Sequence, residues 1–310
     1  MNFLDAFQKP GRWLKVALHA HTTETDGLLS PADAVSFYKG LGYDAMAITD
    51  HGKATPVTTL NDPTFAVIPG IELDGANKAT GELHHIIALG VTEPPGENTD
   101  LNDPQAIIDW VNAQGGLASF AHPHWSGNRA GTVASLKGLW GLEVWNSVCE
   151  SERFAGRAMT YWDEVLRRSE RVWGVAVDDA HYYDPALDAG NGWVMVKAEA
   201  NTAENILAAL REGHFYASSG PVFSDVRIVG DELIVTCGDV SAIVVIDLSA
   251  QPYYPAMIER AGTPGGPRDT LKGAHFTIKS ENAAYWRYFR VSCHDSRGLA
   301  AWGQPIRLQG

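Results

Sequence analysis

The chain has 310 residues, room for one large domain or two modest ones, and 45% of them are hydrophobic against 20% charged, which excludes wholesale disorder. Acidic residues number 37 and basic ones 24, a formal charge of -13. That balance argues against a general nucleic-acid partner, which needs basic patches to neutralise phosphates, but not against a small anion held by bound cations.

In chain order, short apolar runs at 14–20, 45–50, 65–73, 116–123, 141–146, 172–179 and 193–198 read as strands buried on both faces. Helical patterns lie between several of them. Ser30-Pro31 with Asp33 reads as an N-cap with a proline in the first turn. Asp103-Pro104 opens a second helix, which Gly115-Gly116 closes. Residues 151–169 form one long amphipathic candidate, and 201–213 ends on a terminal glycine. This alternation predicts a parallel α/β fold. The run at 83–91 follows its predecessor too closely for a parallel crossover and reads as the second arm of an antiparallel hairpin.

Beyond Gly220-Pro221 the pattern changes. Runs at 222–230, 232–238, 241–249, 275–280, 285–293 and 305–309 are strand-like, with turn residues between them and no helical stretch. The expected organisation is therefore an α/β domain over 1–220 and a smaller all-β, sandwich-like domain over 221–310. No apolar run is long enough to span a bilayer, and the first residues lack the apolar core of a signal peptide; the expected setting is cytoplasmic, without a membrane partner. Cys149, Cys237 and Cys293 are too widely spaced for a metal knuckle and read as packing residues.

Histidine carries the functional signal. His19 and His21 close the first run at i, i+2. Asp50-His51 closes the second, Glu72 the third, His122 the 116–123 run, and Asp179 with His181 the 172–179 run. In a parallel α/β fold these strand ends form the active-site rim. The hairpin places the start of the 83–91 run, with His84 and His85, beside Glu72. Asp26 lies in the loop after the first run. Imidazole and carboxylate without thiolate suit zinc, manganese or iron(II), and nine such residues are enough for two to three ions.

These motifs, LHAHTTETDG, ITDHG, PGIEL, HIIALG, AHP and DDAH in that order over about residues 15–185, resemble the PHP (polymerase and histidinol phosphatase) superfamily. The resemblance implies a distorted, TIM-like (β/α)7 barrel of seven strands and up to three divalent ions. One ion would take His19, His21, Glu72 and Asp179. A second would share Glu72 and add His85 and His122. A third would take Asp26, His51 and His181. Some relatives carry histidine at the Asp26 position. The D-x-H spacing selects Asp179 over Asp178. The resemblance and the hairpin favour His85 over His84, although strand alternation alone leaves both open. REGHFYASSGP at 211–221, followed by strands, resembles members with a β-rich C-terminal extension.

The implied activity is hydrolysis of a small phosphate ester, from a phosphorylated metabolite, nucleotide or oligonucleotide, by a metal-bridging hydroxide. Asp179, Glu72 and His181 are the expected catalytic residues. Lys53, Arg129 and His124 are candidate substrate contacts. Glu143 and Asn146 are candidates for orienting ligands, and Trp125 and Trp193 for stacking. Two alternatives stand beside this reading: a metal hydrolase of an amide, carbamate or carboxylic ester, and a non-catalytic binding module.

Overall fold

The computed structural model describes residues 3–168, 171–247, 256–262, 270–278 and 288–307. Strands β1 (Arg12–Ala17), β2 (Ala45–Ile48) and β3 (Ala66–Ala76) pair in parallel. Strand β4 (Leu83–Leu89) pairs antiparallel with β3, as the short connection requires, and antiparallel again with β5 (Leu117–Phe120). Strands β5, β6 (Gly141–Asn146) and β7 (Trp173–Val177) resume the parallel order. Every residue of β2, β5, β6 and β7 is buried, as continuous apolar runs demand. The far edge returns to the first strand just beyond the regular ladders. Asp179 N donates to His19 O at 3.1 Å and His21 N donates to Ala180 O at 2.9 Å.

The helices follow their caps. Helix α1 (Pro31–Gly40) starts where Ser30 Oγ accepts from Asp33 N, and α2 (Pro104–Ala113) where Asp103 accepts from Gln105 N. Helix α3 (Ala130–Ser135) follows β5. The single helix expected over 151–169 is instead two, α4 (Ser147–Arg153) and α5 (Met159–Arg168), with residue 169 outside the described residues. The chain breaks because Phe154 adopts a left-handed φ of 55° and Ala155–Gly156 turn back on β6, where Asn146 N donates to Gly156 O. A Cβ at Gly156 would lie 2.1 Å from Asn146 O, so only glycine allows that approach.

After the one-turn helix α6 (Pro185–Asp188), β8 (Trp193–Ala198) departs from the parallel expectation. It runs antiparallel to β1, with Arg12 opposite Ala198, and its alternating burial marks a strand covered unequally on its two faces. Helix α7 (Ala203–Glu212), capped by Thr202 and ended by Gly213 at φ 77°, leads to β9 (Phe215–Ser218), which pairs with β8.

Beyond Gly220 the described residues contain strands and no helix. Strands β10 (Phe223–Val229), β11 (Glu232–Val240) and β14 (Leu271–Thr277) form a separate antiparallel sheet. Strands β12 (Ala242–Asp247), β13 (Met257–Arg260), β15 (Phe289–His294) and β16 (Ala300–Trp302) instead extend the large sheet, because β16 pairs with β9. Ile306 forms only an isolated bridge with Phe289. Residues 248–249, 279–280, 285–287 and 308–309 of the expected runs lie outside the described residues. Phe223, Val235, Val291 and Phe289 pack between the two sheets with Phe3 and Tyr216 from the first part of the chain. No described helix is long and apolar enough to cross a membrane.

Candidate metal centre

The expected ligands converge just past the C-terminal ends of β1, β2, β5 and β7 and on the β3–β4 hairpin. Glu72 sits at the centre, buried, with its two oxygens turned to different partners. Its Oε2 lies 3.0 Å from His19 Nε2 and 3.1 Å from His21 Nε2. Its Oε1 lies 2.7 Å from His85 Nδ1 and 3.3 Å from His122 Nε2. Asp179 Oδ1 lies 3.1 Å from both His19 and His21. On the outer side, Asp26 Oδ2 lies 3.6 Å from His51 Nε2 and 3.4 Å from His181 Nε2.

Three overlapping donor groups result: His19, His21, Glu72 and Asp179; His51, Glu72 and His85; and His21, Asp26, His51 and His181. The first matches the expected set. In the second, His51 stands with Glu72 and His85 where His122 was expected, and the third adds His21 to the outer set. The residues fit divalent cations on their own chemistry. Two imidazole nitrogens, His19 Nε2 and His21 Nε2, face each other at 3.1 Å across two carboxylates, and His21 Nδ1 is buried with no hydrogen-bond partner, 3.6 Å from Asp26.

Surrounding groups fix the ligands. His19 Nδ1 donates to Glu143 Oε1 at 2.7 Å, which leaves Nε2 as the free lone pair. Glu143 Oε2 accepts from His122 N and from Asn146 Nδ2, and Asn146 Nδ2 also donates to Asp179 Oδ2. His181 Nδ1 donates to Asp179 O at 2.8 Å, freeing its Nε2 toward Asp26. Asp50 accepts from Thr22 N, Thr25 Oγ1 and Thr55 Oγ1, and so anchors the loop that carries Asp26. Asp178 accepts from Tyr38 Oη, Ser147 Oγ and the backbone of Gly190, Asn191 and Gly192, which turns it away from the ligands and leaves that role to Asp179. His122 and Asp179 hold left-handed φ values of 24° and 61°, backbone strain of the kind that gathers at functional sites.

Charge is concentrated here. Burial would depress His19, His21 and His122, but the surrounding carboxylates outweigh it and all three are raised, His21 to about 9. His51 is raised in the same way, against its own burial, by Asp74 and Glu72. Burial would raise Glu72 and Asp179, yet His19 and its neighbours hold both below the usual carboxylate range. Without ions the carboxylates thus favour the imidazolium forms of His19, His21, His51 and His122, and cations would take the place of those protons.

The hairpin register puts Asp74 opposite His85 and Gly75 opposite His84. His85 meets Glu72, whereas His84 donates from Nε2 to Leu101 O. Asp74, 3.4 Å from His51 Nδ1, was not foreseen, although its i, i+2 spacing from Glu72 puts it on the same face of β3.

A cavity of about 450 Å³ opens over the ligands. Trp125 lines it, as does Cys149, whose thiol burial pushes up, so that it stays protonated and is no nucleophile. Lys53, Arg129 and His124 do not line it. Lys53 pairs with Glu24, Arg129 with Glu82, and the His124 ring lies 6.2 Å from Tyr161. Trp193 stacks instead on Lys15, 4.2 Å from its ring.

No family model matches the sequence. No curated protein matches it either. Among solved structures the chain is similar to a two-domain protein from Bacteroides vulgatus containing a predicted PHP-like metal-dependent phosphoesterase, at 15% identity and a TM-score of 0.48, over 98% of this chain and 96% of that one. It is also similar to a candidate metal-dependent phosphoesterase from Bifidobacterium adolescentis (14% identity, TM-score 0.43, 65% of this chain and 97% of that one). A third similar structure is an amidohydrolase from Chromobacterium violaceum with bound sulfate and no metal (14% identity, TM-score 0.41, 56% and 89%).

Proposed function

We propose that this chain is a metal-dependent hydrolase that cleaves a small phosphate ester, using two to three divalent ions held by the nine residues named above within a distorted seven-stranded barrel, β1 to β7. The observation that carries the reading is Glu72. A buried carboxylate whose oxygens face separate pairs of imidazoles would hold more than one divalent cation together with them, and such ions would suit in-line displacement at phosphorus. Bound ions would supply Lewis acidity toward a phosphoryl oxygen and acidify a water.

The chain's own groups do the rest. Glu143 holds His19 in the tautomer that presents Nε2, and Asn146 holds Asp179. His122 and Asp179, in their strained conformations, turn their side chains to the same point as Glu72. Trp125 packs edge-on against His85 and His122 at the cavity. Asp26, half exposed, is the most exposed of the nine and would hold the outermost ion with His51 and His181.

The test is elemental analysis of the protein after reconstitution with zinc, manganese or iron(II), followed by a panel of phosphate esters with inorganic phosphate as competitor. Two or more ions per chain and phosphate-inhibited ester hydrolysis are expected. Less than one ion per chain, or hydrolysis of carboxylic esters or amides indifferent to phosphate, would overturn the reading.

A further inference from the structure

The ligand cluster forms one side of the cavity. Beyond it Val148 and Leu187 with the carboxylates Glu152, Asp184 and Asp188 line the cavity, Trp125 stands edge-on against His85 and His122, and Tyr183 closes the side next to Asp26. Tyr183 and Leu187 keep 65% and 54% of their surface exposed, an apolar lip that a folded chain ordinarily covers. Tyr183 is held in place by its Oη donating to Asp26 O and lies nearly parallel to the His181 ring. No lysine or arginine lines the cavity among the described residues. Arg153 lies over the Trp125 ring, 5.2 Å from its centroid, without reaching the cavity lining.

With the site loaded, positive charge in this cavity would therefore come from the bound ions, on the side of the ligand cluster. A phosphoryl group seated there is neutralised. A second anionic group on the remainder of the molecule would face carboxylates and apolar side chains, with no lysine or arginine among the described residues of the lining. An uncharged body with a flat apolar face would instead cover Trp125, Leu187 and Tyr183.

We propose that the site takes phosphate esters with one phosphoryl group and a leaving group that carries no anion and presents an apolar or aromatic face, and that Glu152 and Asp184 exclude leaving groups bearing a second negative charge. This rests on the phosphoesterase reading and narrows it away from nucleotides with several phosphates and from oligonucleotides.

The experiment uses the full chain loaded with manganese and two matched pairs of probes. Phenyl phosphate and 4-carboxyphenyl phosphate report turnover. Phenylphosphonate and 4-carboxyphenylphosphonate, which cannot be hydrolysed, report binding by calorimetry. The uncharged member should be favoured about ten-fold or more in kcat/KM and in affinity, and Glu152→Gln with Asp184→Asn should bring both ratios close to one. Asparagine at 184 can still cap α6, as Asp184 does by accepting from Ala186 N, and Glu152→Gln alone, at an exposed position, serves if the double variant folds poorly. Equal affinities for the two phosphonates, or a preference for the carboxylated one, overturn the selectivity. Discrimination that persists in the variants overturns its assignment to Glu152 and Asp184. Discriminating phosphonate binding without hydrolysis of either ester supports the selectivity and overturns the phosphoesterase reading. No binding and no turnover overturns both.

Discussion

Glu72 is the residue on which the site turns, because its two oxygens serve separate histidine pairs, and the groups behind those histidines decide whether the lone pairs point inward. Glu143→Gln tests this at the smallest scale. Glutamine preserves shape, but its amide can present an N–H to His19 Nδ1 and favour the wrong tautomer. Metal affinity should fall about 10–100-fold in competition with a chromophoric chelator, with the fold intact by circular dichroism. An unchanged affinity would mean that Glu143 only fills space. The hairpin offers a sharper pair. His85→Ala should remove the ion next to Glu72 and abolish turnover, whereas His84→Ala, which loses a bond to Leu101 O, should keep its metal content and measurable rate. The reverse ranking would show that the other face of β4 holds the ion. Protons provide a third residue-scale test. The metal-free pKa values of His19, His21, His51 and His122 lie above the ordinary value near 6.5, so their ion pairs stabilise the metal-free fold fully below about pH 6.5. That contribution is lost as pH rises, for His21 through about 9. Ions must displace the same protons, so metal uptake at pH 7 should release protons into a weakly buffered indicator solution, and the release should decline as pH rises, for His21 through about 9. Absence of any release at pH 7 would rule out these imidazoles as the ligands.

At the scale of elements, what could be read from the sequence was whatever is locally encoded. Ser30, Asp103 and Gly213 each announce a helix end through a side chain or a backbone freedom that acts within one turn, and the structure has all three. The β3–β4 hairpin was legible because chain length forbids the parallel alternative. Direction was not legible for β8, since an apolar run looks the same in either sense and its antiparallel pairing with β1 is decided by distant partners. The break at Phe154 was hidden because Trp162, Val165 and Leu166 continue the apolar period on the far side. Most of the ligands were legible because they close strands or sit on the β3–β4 hairpin, whereas the rest of the cavity lining joins α4 to α6 and the turn before it, a meeting that no spacing records. Lys53 and Arg129 stand near the motifs in sequence but spend their charges on neighbouring acids. Phe154 supplies the element-scale prediction. It ends α4 in the left-handed conformation, is 84% exposed, and stands where glycine is preferred. Phe154→Gly should raise stability by about 1 kcal/mol in urea denaturation, since an unpacked side chain is traded for freedom from steric strain. A loss of stability would show that the ring covers apolar surface that matters.

At the scale of the molecule, β12, β13, β15 and β16 share a hydrogen-bonded sheet with the strands before Gly220, and the separate β10–β11–β14 sheet shares an apolar core with Phe3 and Tyr216. Strand β16 pairs with β9, Gln304 exchanges two hydrogen bonds with the backbone of Gly174 in β7, and Phe3 packs under β10. Arg290 of β15 completes the connection. Its guanidinium makes two bonds to Asp163 of α5, at 2.8 and 3.0 Å, with only 3% of its side chain exposed, and it lies over the Trp162 ring. Helix α5 in turn packs on β6, the strand that carries Glu143 and Asn146. Such a connection predicts that the two parts unfold together, so calorimetry of the metal-free protein should give one transition whose van't Hoff and calorimetric enthalpies agree. Removing one partner of a buried charge pair costs roughly 3–5 kcal/mol. Arg290→Ala should therefore lower the midpoint of that single transition rather than split it, while Arg290→Ala with Asp163→Leu should recover part of the loss, because no buried charge is left unpaired. Two resolved transitions in the unaltered chain, with only the lower one moved by Arg290→Ala, would show instead that the β-rich part folds and melts on its own and that the metal centre does not depend on it.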